Sequence, residues 1–287
     1  MRVGMRYSAT VSAPNENLGS WPGPAPASPS ELVMHLCFLL SLAVVSAVPP
    51  VGRSTIGFLS RPDLERVRGA TAFVIDETTG EIVESDIFIN SQFDWSVAPG
   101  GEPGRFDLQS TLTHEIGHFL GLGHSALGET ELRPGGGRRV IASGAVMFPI
   151  AFSAGSTADR ALQADDIAGV SDLYPGTGFR DESGSVQGTV LLEGRPVFGA
   201  HVVAYDPATG ALVGGFTLGD DGRFVISALR PGPKVLRVEP LDDADIESFF
   251  DEGTPVELGF RVTYSDLLAV VPRKGAAPSV EIRVARK

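Results

Sequence analysis

Alternating apolar and polar positions dominate the last third of the chain, from Ser183 onward. The alternating runs are separated by the turn-forming groups "EGRP", "DPATG", "GDDG" and "RPGP". Several short strands at this spacing are typical of an antiparallel β-sandwich. We therefore predict a linker at residues 177–184 and an antiparallel β-sandwich domain at residues 185–287 that folds on its own.

A second group of alternating runs lies nearer the N-terminus. Strands are predicted at "TIGFLS", "ATAFVID" and "EIVESDIFIN", with a turn at Gly80 between the last two. Helical periodicity follows these runs. Asp107 is a suitable N-cap for a helix from Leu108 to Leu120, and residues 158–174 have the pattern of a second helix. Strands and helices in separate stretches indicate an α+β fold.

One long apolar segment, residues 32–48, fits neither pattern. It contains no Asp, Glu, Lys or Arg and is apolar on every face, whereas a helix that covers a sheet carries an apolar stripe. "VSA" at residues 45–47 is similar to the site at which signal peptides are cut, and the length is marginal for a membrane span. A secretion signal, a membrane anchor and a buried helix therefore all remain open. Residues 1–50 are interpreted as a leader, disordered over its first part.

Composition narrows the class of protein. The chain has 287 residues, enough for two ordinary domains. Its net charge is -12 and no basic patch stands out, so we expect no binding to nucleic acid. Cys37 is the only cysteine, which excludes an intramolecular disulfide. Because it lies in the apolar segment, we interpret Cys37 as a hydrophobic residue.

The stretch "HEIGHFLGLGH" concentrates the candidate chemistry. His114 and His118 are four residues apart, so a helix places both imidazoles on one face. Gly121 permits a sharp helix end, after which the chain can bring His124 back to the same point. Three imidazole ligands with a fourth position open are typical of catalytic zinc. Glu115 is placed to accept a proton from water that the metal activates.

This stretch resembles the H-E-x-x-H-x-x-G-x-x-H signature of the metzincin zinc peptidases. "SGAVMFP" supplies the methionine turn of that clan, with Met147 as its methionine. "LQADDIAGVSDLYP" resembles the closing helix of the matrixin branch, including the paired aspartates Asp165 and Asp166. The resemblance extends from Thr55 to Pro175 and implies a metzincin-like catalytic domain at residues 51–176, with a mixed sheet and a zinc-binding helix.

The resemblance also implies roles for individual residues. Met147 forms a hydrophobic floor beneath the imidazoles and is not a ligand. "ATAFVID" is the edge strand that pairs with an extended peptide, so Ala72 and Phe73 are expected beside the substrate. Phe148 and Pro149 are expected in the wall of the pocket for the residue after the cut. Pro149 stands where some metzincins have an additional tyrosine ligand, so none is expected here.

Some features of the matrixin branch are not recognisable in this sequence. The strand, long helix and strand at its front have no counterpart upstream of Thr55, so we expect residues 1–50 not to supply them and this part of the domain to be incomplete. His35 and His201 are the only further histidines, so we expect one zinc and no second, structural zinc. Cys37 lacks the propeptide motif, so no cysteine-based latency is expected.

The predicted β-sandwich resembles the transthyretin-like, carboxypeptidase regulatory-like domains. The resemblance rests on "GAHVVAYD" and "DGRFVISALRPGPKVLRV" and implies a non-catalytic module. His201 lies in one of its strands, and we interpret it as a packing or surface residue. The acidic run from Asp242 to Gly253 is either a solvated loop or a calcium site, since oxygen ligands suit Ca²⁺.

Taken together, the sequence predicts a secreted, monomeric zinc metalloendopeptidase that acts on proteins or peptides. Zn²⁺ is the expected cofactor, Ca²⁺ remains open, and contact with a membrane is expected only if residues 32–48 form an anchor. The alternative is a secreted β-sandwich binding protein whose peptidase domain is truncated and inactive. Cleavage of a peptide library with and without a zinc chelator distinguishes the two.

Overall fold

The chain divides into two compact units, Met1–Gln92 and Phe93–Lys287. The structure, a computed structural model, describes residues 53–62, 66–76, 78–134 and 136–287, together with the backbone of residues 32–36. The boundary differs from the predicted linker at residues 177–184, which contains a short helix. The reason is that residues 93–176 pack with the C-terminal strands into one unit.

The first unit contains a four-stranded sheet. Its strands are β1 (Leu32–Leu36), β2 (Ile56–Leu59), β3 (Gly69–Asp76) and β4 (Ile82–Asn90). The order across the sheet is β1-β3-β4-β2, with β3 antiparallel to both neighbours and β2 parallel to β4. The three strands predicted in this region are therefore present. Buried aliphatic side chains of β3 and β4 include Ala72, Val74, Ile87 and Ile89.

Strand β1 changes the environment of β3. Its backbone pairs His35 with Phe73 and Leu36 with Ala72, so β3 lies inside the sheet and is not the edge strand that was predicted. The first five residues of the apolar segment are extended, and its remaining residues, Cys37 included, lie outside the described part of the chain. Within the described ranges, no helix has the length and apolar character needed to cross a membrane.

The second unit begins with short strands and the helices of the candidate site. In chain order these are β5 (Trp95–Ser96), β6 (Phe106–Asp107), α1 (Leu108–Phe119), β7 (Gly128–Leu132), β8 (Arg138–Ser143), α2 (Ala164–Leu173) and α3 (Phe179–Glu182). Helix α1 confirms the predicted helix almost residue for residue. Helix α2 is shorter than predicted, because the Asp166 carboxylate accepts the Gln163 N–H at 2.8 Å and caps the helix there, leaving Ala158–Arg160 as a separate 3₁₀ turn.

The remaining strands form two sheets, which we call the two-sheet region. They are β9 (Gly184–Leu192), β10 (Arg195–Pro196), β11 (His201–Tyr205), β12 (Leu212–Phe216), β13 (Arg223–Leu229), β14 (Gly232–Glu239), β15 (Thr263–Tyr264), β16 (Ala269–Val271) and β17 (Val280–Val284). One sheet joins β10, β9, β13 and β17, and the other joins β12, β11, β14, β15 and β16.

Both sheets bury their alternating apolar residues in one core. Val186 and Val190 of β9 and Leu236 of β14 are each 0% exposed and belong to the same cluster. The alternation read from the sequence is therefore correct. The expectation of purely antiparallel pairing is wrong, because β17 runs parallel to β9. These strands lie far apart in the chain, so no hairpin turn forces them to be antiparallel.

Residues 107–175, which we call the ligand-bearing segment, pack on the two-sheet region. Helix α2 lies against β12 and β13. Leu127 and Ala145 form a small buried cluster with Val203 of β11, and Leu212 of β12 packs against it. A hydrogen bond of 2.7 Å joins the Gly214 N–H to the Asp165 carboxylate. The apolar contacts of this segment are thus shared with the C-terminal strands.

Candidate metal centre

Helix α1 begins where a polar cap satisfies its first backbone donors. The Asp107 side chain accepts the N–H and the hydroxyl of Ser110, at 2.8 and 2.7 Å, which confirms Asp107 as the N-cap. Arg160 holds the same carboxylate through two donors, at 2.9 and 2.5 Å. The Arg160 hydrogen bond is the main cause that lowers the pKa of Asp107 to about 2. The start of the helix is therefore fixed from both sides.

Helix α1 ends in a turn that Gly121 makes possible. Gly121 has a φ of 93°, a conformation that favours glycine. Its N–H donates to the His118 carbonyl at 2.8 Å, and the Leu122 N–H donates to the Gly117 carbonyl at 3.0 Å. This pair of bonds is the Schellman arrangement that closes helix C-termini. The chain reverses there, which brings His124 back to the histidines of the helix.

Three imidazole nitrogens converge at one point. The Nε2 atom of His118 lies 3.1 Å from Nε2 of His114 and 3.1 Å from Nε2 of His124. Two nitrogens bound at 2.0–2.1 Å to one tetrahedral zinc ion are about 3.3 Å apart. In the described part of the chain, these histidines form the group of side chains with metal-ligand geometry. The predicted ligand triad is thus assembled.

The opposite ring nitrogens are all held by backbone carbonyls. Nδ1 of His114 lies 2.8 Å from the Val146 oxygen, and Nδ1 of His118 lies 2.9 Å from the Leu122 oxygen. Nδ1 of His124 lies 2.6 Å from the oxygen of Ser248. A carbonyl only accepts, so each Nδ1 is the protonated nitrogen and each Nε2 keeps its lone pair for a metal.

The protonation states of two histidines suit this role. Burial, followed by the neighbouring imidazoles of His124 and His114, holds the pKa of His118 well below its usual 6.5. Burial and then His114 lower the pKa of His124 to about 3. Both rings are therefore neutral at pH 7, and the neutral imidazole is the form that binds metal ions.

Glu115 lies in α1 directly after the first histidine. Its side chain is only 5% exposed, although a glutamate without a partner is rarely buried. It has an interaction with its surroundings and is not one of the three converging ligands. The helix places it one position away from His114, as the sequence predicted.

The methionine turn is bonded to both helices. The Asp166 carboxylate accepts the N–H groups of Val146 and Met147, at 2.9 and 3.1 Å. Met147 is 3% exposed, and a Cβ added to Gly117 would overlap its sulfur atom. The thioether thus packs directly against α1 at Gly117. Since Val146 also supplies the carbonyl to His114, Asp166 acts on the site through the turn.

The predicted substrate residues fall in different units. Phe148 is 4% exposed and lines a small cavity with Ala126 and Phe249, and Pro149 is half-buried beside it. Ala72, which is buried, and Phe73 lie in β3 of the first unit. The contact of these four residues with a substrate stays a prediction.

Two features of the site were missed or misjudged in the sequence. The carbonyl of Ser248 and the ring of Phe249 come from the acidic run after Asp242, interpreted above as a solvated loop or a calcium site. Asp242 is exposed, but Phe249 is 8% exposed and packs edge-on against His124, with ring centroids 6.4 Å apart. Aromatic residues inside the acidic run were the signal that could have indicated a packed loop.

His201 is a packing residue, in line with one of its two interpretations. It is 1% exposed, and its Nδ1 lies 2.9 Å from a carboxylate oxygen of Glu239. Its ring also stacks at an angle on Phe216. His201 is thus held inside the two-sheet region and does not belong to the histidine cluster.

Comparison with known proteins supports a matrixin-like peptidase. The model of the matrixin family, Peptidase_M10, matches residues 60–134, a range that contains the three histidines and Glu115. Metalloendoproteinase 5-MMP of Arabidopsis thaliana is 34% identical over 108 residues, which are 34% of this chain and 25% of the relative. Metalloendoproteinase 1-MMP of the same plant is 41% identical over 75 residues, 26% of this chain and 16% of the relative.

These matches support a metalloendopeptidase, and hence a hydrolase, as the general class. The chain spans a quarter or less of the length of both plant relatives. The residues that the family model matches lie in the first half of the chain, and the two-sheet region is outside this match. Zinc fits this class and the histidine cluster together.

Two solved structures are similar to part of the chain at a low level. They are the TIE protein of Bacillus anthracis, with 15% identity and a TM-score of 0.25, and BcpA, the major pilin subunit of Bacillus cereus, with 14% identity and a TM-score of 0.24. Each likeness covers 37% of this chain, and 17% and 30% of those chains respectively. Likeness at this level establishes neither a shared fold nor a shared function.

Proposed function

We propose that the protein is a zinc endopeptidase that hydrolyses peptide bonds of proteins or peptides. His114, His118 and His124 bind the metal, and Glu115 is the general base. The observation that carries the proposal is the convergence of three Nε2 atoms, each on an imidazole whose Nδ1 is held by a backbone carbonyl. The matrixin match over residues 60–134 supports the same class.

The donor set fits a zinc ion, because three neutral imidazole nitrogens leave one position of a tetrahedron for water or substrate. A zinc ion bound there supplies Lewis-acid activation of water and of the scissile carbonyl. The chain's own residues do the rest. The carboxylate of Glu115 accepts a proton from the attacking water and delivers it to the leaving nitrogen. Met147 keeps the floor beneath the imidazoles apolar and free of water.

Substrate binding is the next part of the proposal. An extended peptide adds to β3 alongside Ala72 and Phe73, and Phe148 and Pro149 form the wall of the pocket for the residue after the cut. Strand β1 uses the backbone groups of the same side of β3. A peptide that pairs there therefore competes with β1, which has to leave first.

The proposal includes further features of the whole protein. It is a secreted monomer with one zinc per chain, and the two-sheet region is a transthyretin-like module without catalytic residues of its own. The alternation of buried residues in β9 and β14 supports the module, and the scarcity of histidines supports the single zinc.

The test is cleavage of a quenched peptide library by the full chain, with and without a zinc chelator, together with its metal content. Glu115→Gln should keep one zinc per chain and lose at least about 10²-fold in kcat/KM, the lower range for general acid–base catalysis. His118→Ala should lose most of the zinc. Glu129→Gln, which changes an exposed glutamate of β7, is the matched control and should match the wild type.

Three outcomes would contradict the proposal. Absence of metal from the wild-type protein would show that the zinc site does not exist. Equal cleavage by the wild type and Glu115→Gln would show that the activity comes from another site or a contaminant. Wild type that holds zinc but cleaves no peptide would favour the alternative, a binding protein with an inactive peptidase domain.

A further inference from the structure

The third histidine is held differently from the other two. His114 and His118 are bonded through Nδ1 to carbonyls of the ligand-bearing segment itself. His124 is bonded at 2.6 Å to the carbonyl of Ser248, which is 124 positions further along the chain. Ser248 closes the 3₁₀ turn Ile246–Ser248, within the connection from β14 to β15. We call this connection, residues 240–262, the β14–β15 loop.

The residue after Ser248 fixes the plane of the same imidazole. The ring of Phe249 meets His124 at an interplanar angle of 84°. Phe249 in turn lies against Phe216 of β12, with ring centroids 5.6 Å apart. Edge-to-face contacts of this kind restrict both rings beyond the area that they bury. His124 is thus held by a hydrogen bond at one side of the ring and by a buried aromatic ring beside it.

The β14–β15 loop is also bonded to the strands that follow His124. The Thr130 N–H donates to Oδ1 of Asp243 at 2.7 Å, and the Thr130 hydroxyl donates to the Asp243 carbonyl at 2.7 Å. Arg138 donates to the carbonyl of Asp242 at 2.9 Å. These bonds join the loop to β7 and β8, so His124 and its carbonyl partner are fixed to one another through two routes.

We propose that the β14–β15 loop is the positioning element of the third metal ligand, with Ser248 and Phe249 as positioning residues of His124. The two-sheet region then completes the metal site and is more than an appended module. The catalytic consequence rests on the proposed function, whereas the effect on metal affinity does not. Groups that orient a metal ligand through its second nitrogen are typically worth 10–100-fold in affinity.

Phe249→Ala tests the proposal against a closely matched control, Phe250→Ala. Both rings are buried, at 8% and 6% exposure, and both lie 5.6 Å from Phe216. Only Phe249 makes a ring contact with His124 among the contacts described. Phe249→Ala should weaken zinc binding by about 10–100-fold and alter the visible spectrum of the Co²⁺-substituted protein. Phe250→Ala should lose stability to a similar degree but keep the wild-type affinity and spectrum.

Asp243 provides a second test that does not depend on the aromatic cluster. Asp243→Ala removes the side-chain acceptor of the Thr130 N–H, while the backbone carbonyl that accepts from the Thr130 hydroxyl remains, and should weaken zinc binding in the same direction. Asp243→Asn keeps an oxygen at that place and should restore most of the affinity. Glu247→Ala changes an exposed acidic residue of the same loop and should leave zinc affinity unchanged. A thermal unfolding curve for each variant separates local loosening from loss of the fold.

The proposal is overturned if Phe249→Ala and Phe250→Ala have equal zinc affinity and the same Co²⁺ spectrum. Equal affinity of Asp243→Ala and Asp243→Asn would overturn it as well, should Phe249→Ala fail to fold. These results are separate from failure of the proposed function, which would appear as absent zinc or absent cleavage in the wild type. A wild type that binds zinc without cleaving peptides leaves the affinity test of the loop fully valid.

Discussion

In the two-sheet region, buried aliphatic and aromatic side chains from both sheets form one cluster between Val186 and Val284. In the ligand-bearing segment, polar contacts hold the functional side chains in place. Arg160 holds the cap of α1, Asp166 holds the methionine turn, and carbonyls hold the three imidazoles. Val203 and Leu212 of the two-sheet region complete the apolar patch around Leu127 and Ala145.

This difference matches the tasks of the two regions. Burial of apolar area is non-directional and supplies stability without fixing any single atom. Hydrogen bonds add about 0.5–1.5 kcal/mol each, but they set direction, which a metal ligand requires. The ligand-bearing segment shares its apolar patch around Leu127 and Ala145 with β11 and β12, and it receives the carbonyl of Ser248 from the β14–β15 loop. Part of its support therefore comes from the two-sheet region.

The largest effect is expected when the two regions are separated. Residues 183–287 alone should fold and unfold cooperatively, because their core is self-contained. Residues 93–182 alone should have no cooperative transition and no measurable zinc, since they lose Val203, Leu212 and the carbonyl of Ser248. The two fragments should therefore differ in unfolding free energy by the whole stability of a domain, about 5–15 kcal/mol. Circular dichroism during heating and metal analysis of both fragments measure it.

A disordered spectrum for residues 183–287 would show that the two regions depend on each other equally. A folded, zinc-loaded fragment of residues 93–182 would show that the ligand-bearing segment needs no support. Either result would show that the two regions do not differ in how far their folding depends on each other.

The next effect concerns one carboxylate in the ligand-bearing segment. Asp166 accepts three backbone N–H groups, those of Val146, Met147 and Gln163. Val146 and Met147 are buried, whereas Gln163 is exposed. Each buried donor left without an acceptor costs about 1–3 kcal/mol, so Asp166→Ala should lose at least about 2 kcal/mol of unfolding free energy, together with zinc. In the two-sheet region a similar loss, about 2–5 kcal/mol, requires removal of a core side chain, as in Leu236→Ala. Urea unfolding measures both.

Asp172→Ala is the control for Asp166→Ala. Asp172 lies in the same helix and pairs with Arg180 at the surface, with both side chains well exposed. Exposed pairs contribute about 0–1 kcal/mol, so this variant should be nearly as stable as the wild type and keep its zinc. Equal losses for the two aspartates would mean that helix charge, and not the bonds to the methionine turn, accounts for the effect.

Features that depend on neighbouring residues could be predicted from the sequence, whereas contacts between distant residues could not. The strands of the two-sheet region were predictable, because alternation is a property of neighbouring residues. The helix of the histidines was predictable too, since Asp107, the four-residue spacing and Gly121 all act locally. The start of α2 is also set locally, by Asp166 and Gln163 three residues apart, and was missed in the sequence. The pairing of β17 with β9 and the position of β1 beside β3 depend on partners distant in the chain. Sequence patterns do not encode such partners.

The candidate metal centre likewise has one part that the sequence predicts and another that it does not. Its three histidines have a recognisable spacing, so the sequence predicted that they lie together. The partner of His124 is a backbone carbonyl, which every residue possesses, so nothing in "IES" at residues 246–248 distinguishes Ser248 as that partner. Only packing decides which carbonyl reaches the ring, and the two phenylalanines beside it were the sole local indication.

A smaller effect is expected where α1 meets the methionine turn. Gly117→Ala adds a methyl group against the sulfur of Met147, which is 3% exposed. Overpacking costs about 1–3 kcal/mol and alanine in a helix returns up to about 1, so the net loss should be about 1–2 kcal/mol. Gly169→Ala in α2 meets only the end of the Leu122 side chain and should be neutral or stabilising. Equal stability of the two variants would mean that the methionine turn moves freely under the helix.

The smallest effect depends on pH and concerns the cap of α1. Asp107 has a pKa of about 2 in the folded protein, against a usual 3.8, chiefly because Arg160 binds its ionised form. A lowered pKa means that the stabilisation is fully present above about pH 4 and is lost as the pH falls through 2. The shift corresponds to about 1–2 kcal/mol once the partial exposure of Arg160 is considered.

Asp107→Asn isolates this charge, because asparagine caps helices about as well as aspartate. At pH 7 the variant should be about 1–2 kcal/mol less stable than the wild type, and the gap should close as the pH falls from 4 towards 2. Unfolding by urea at several pH values measures the gap. A gap that is constant over this range would place the contribution in cap geometry and not in the charge pair. The charge of Asp107 would then add little to the stability of the ligand-bearing segment. A gap that closes would instead show that the ionised Asp107, held by Arg160, stabilises the start of α1.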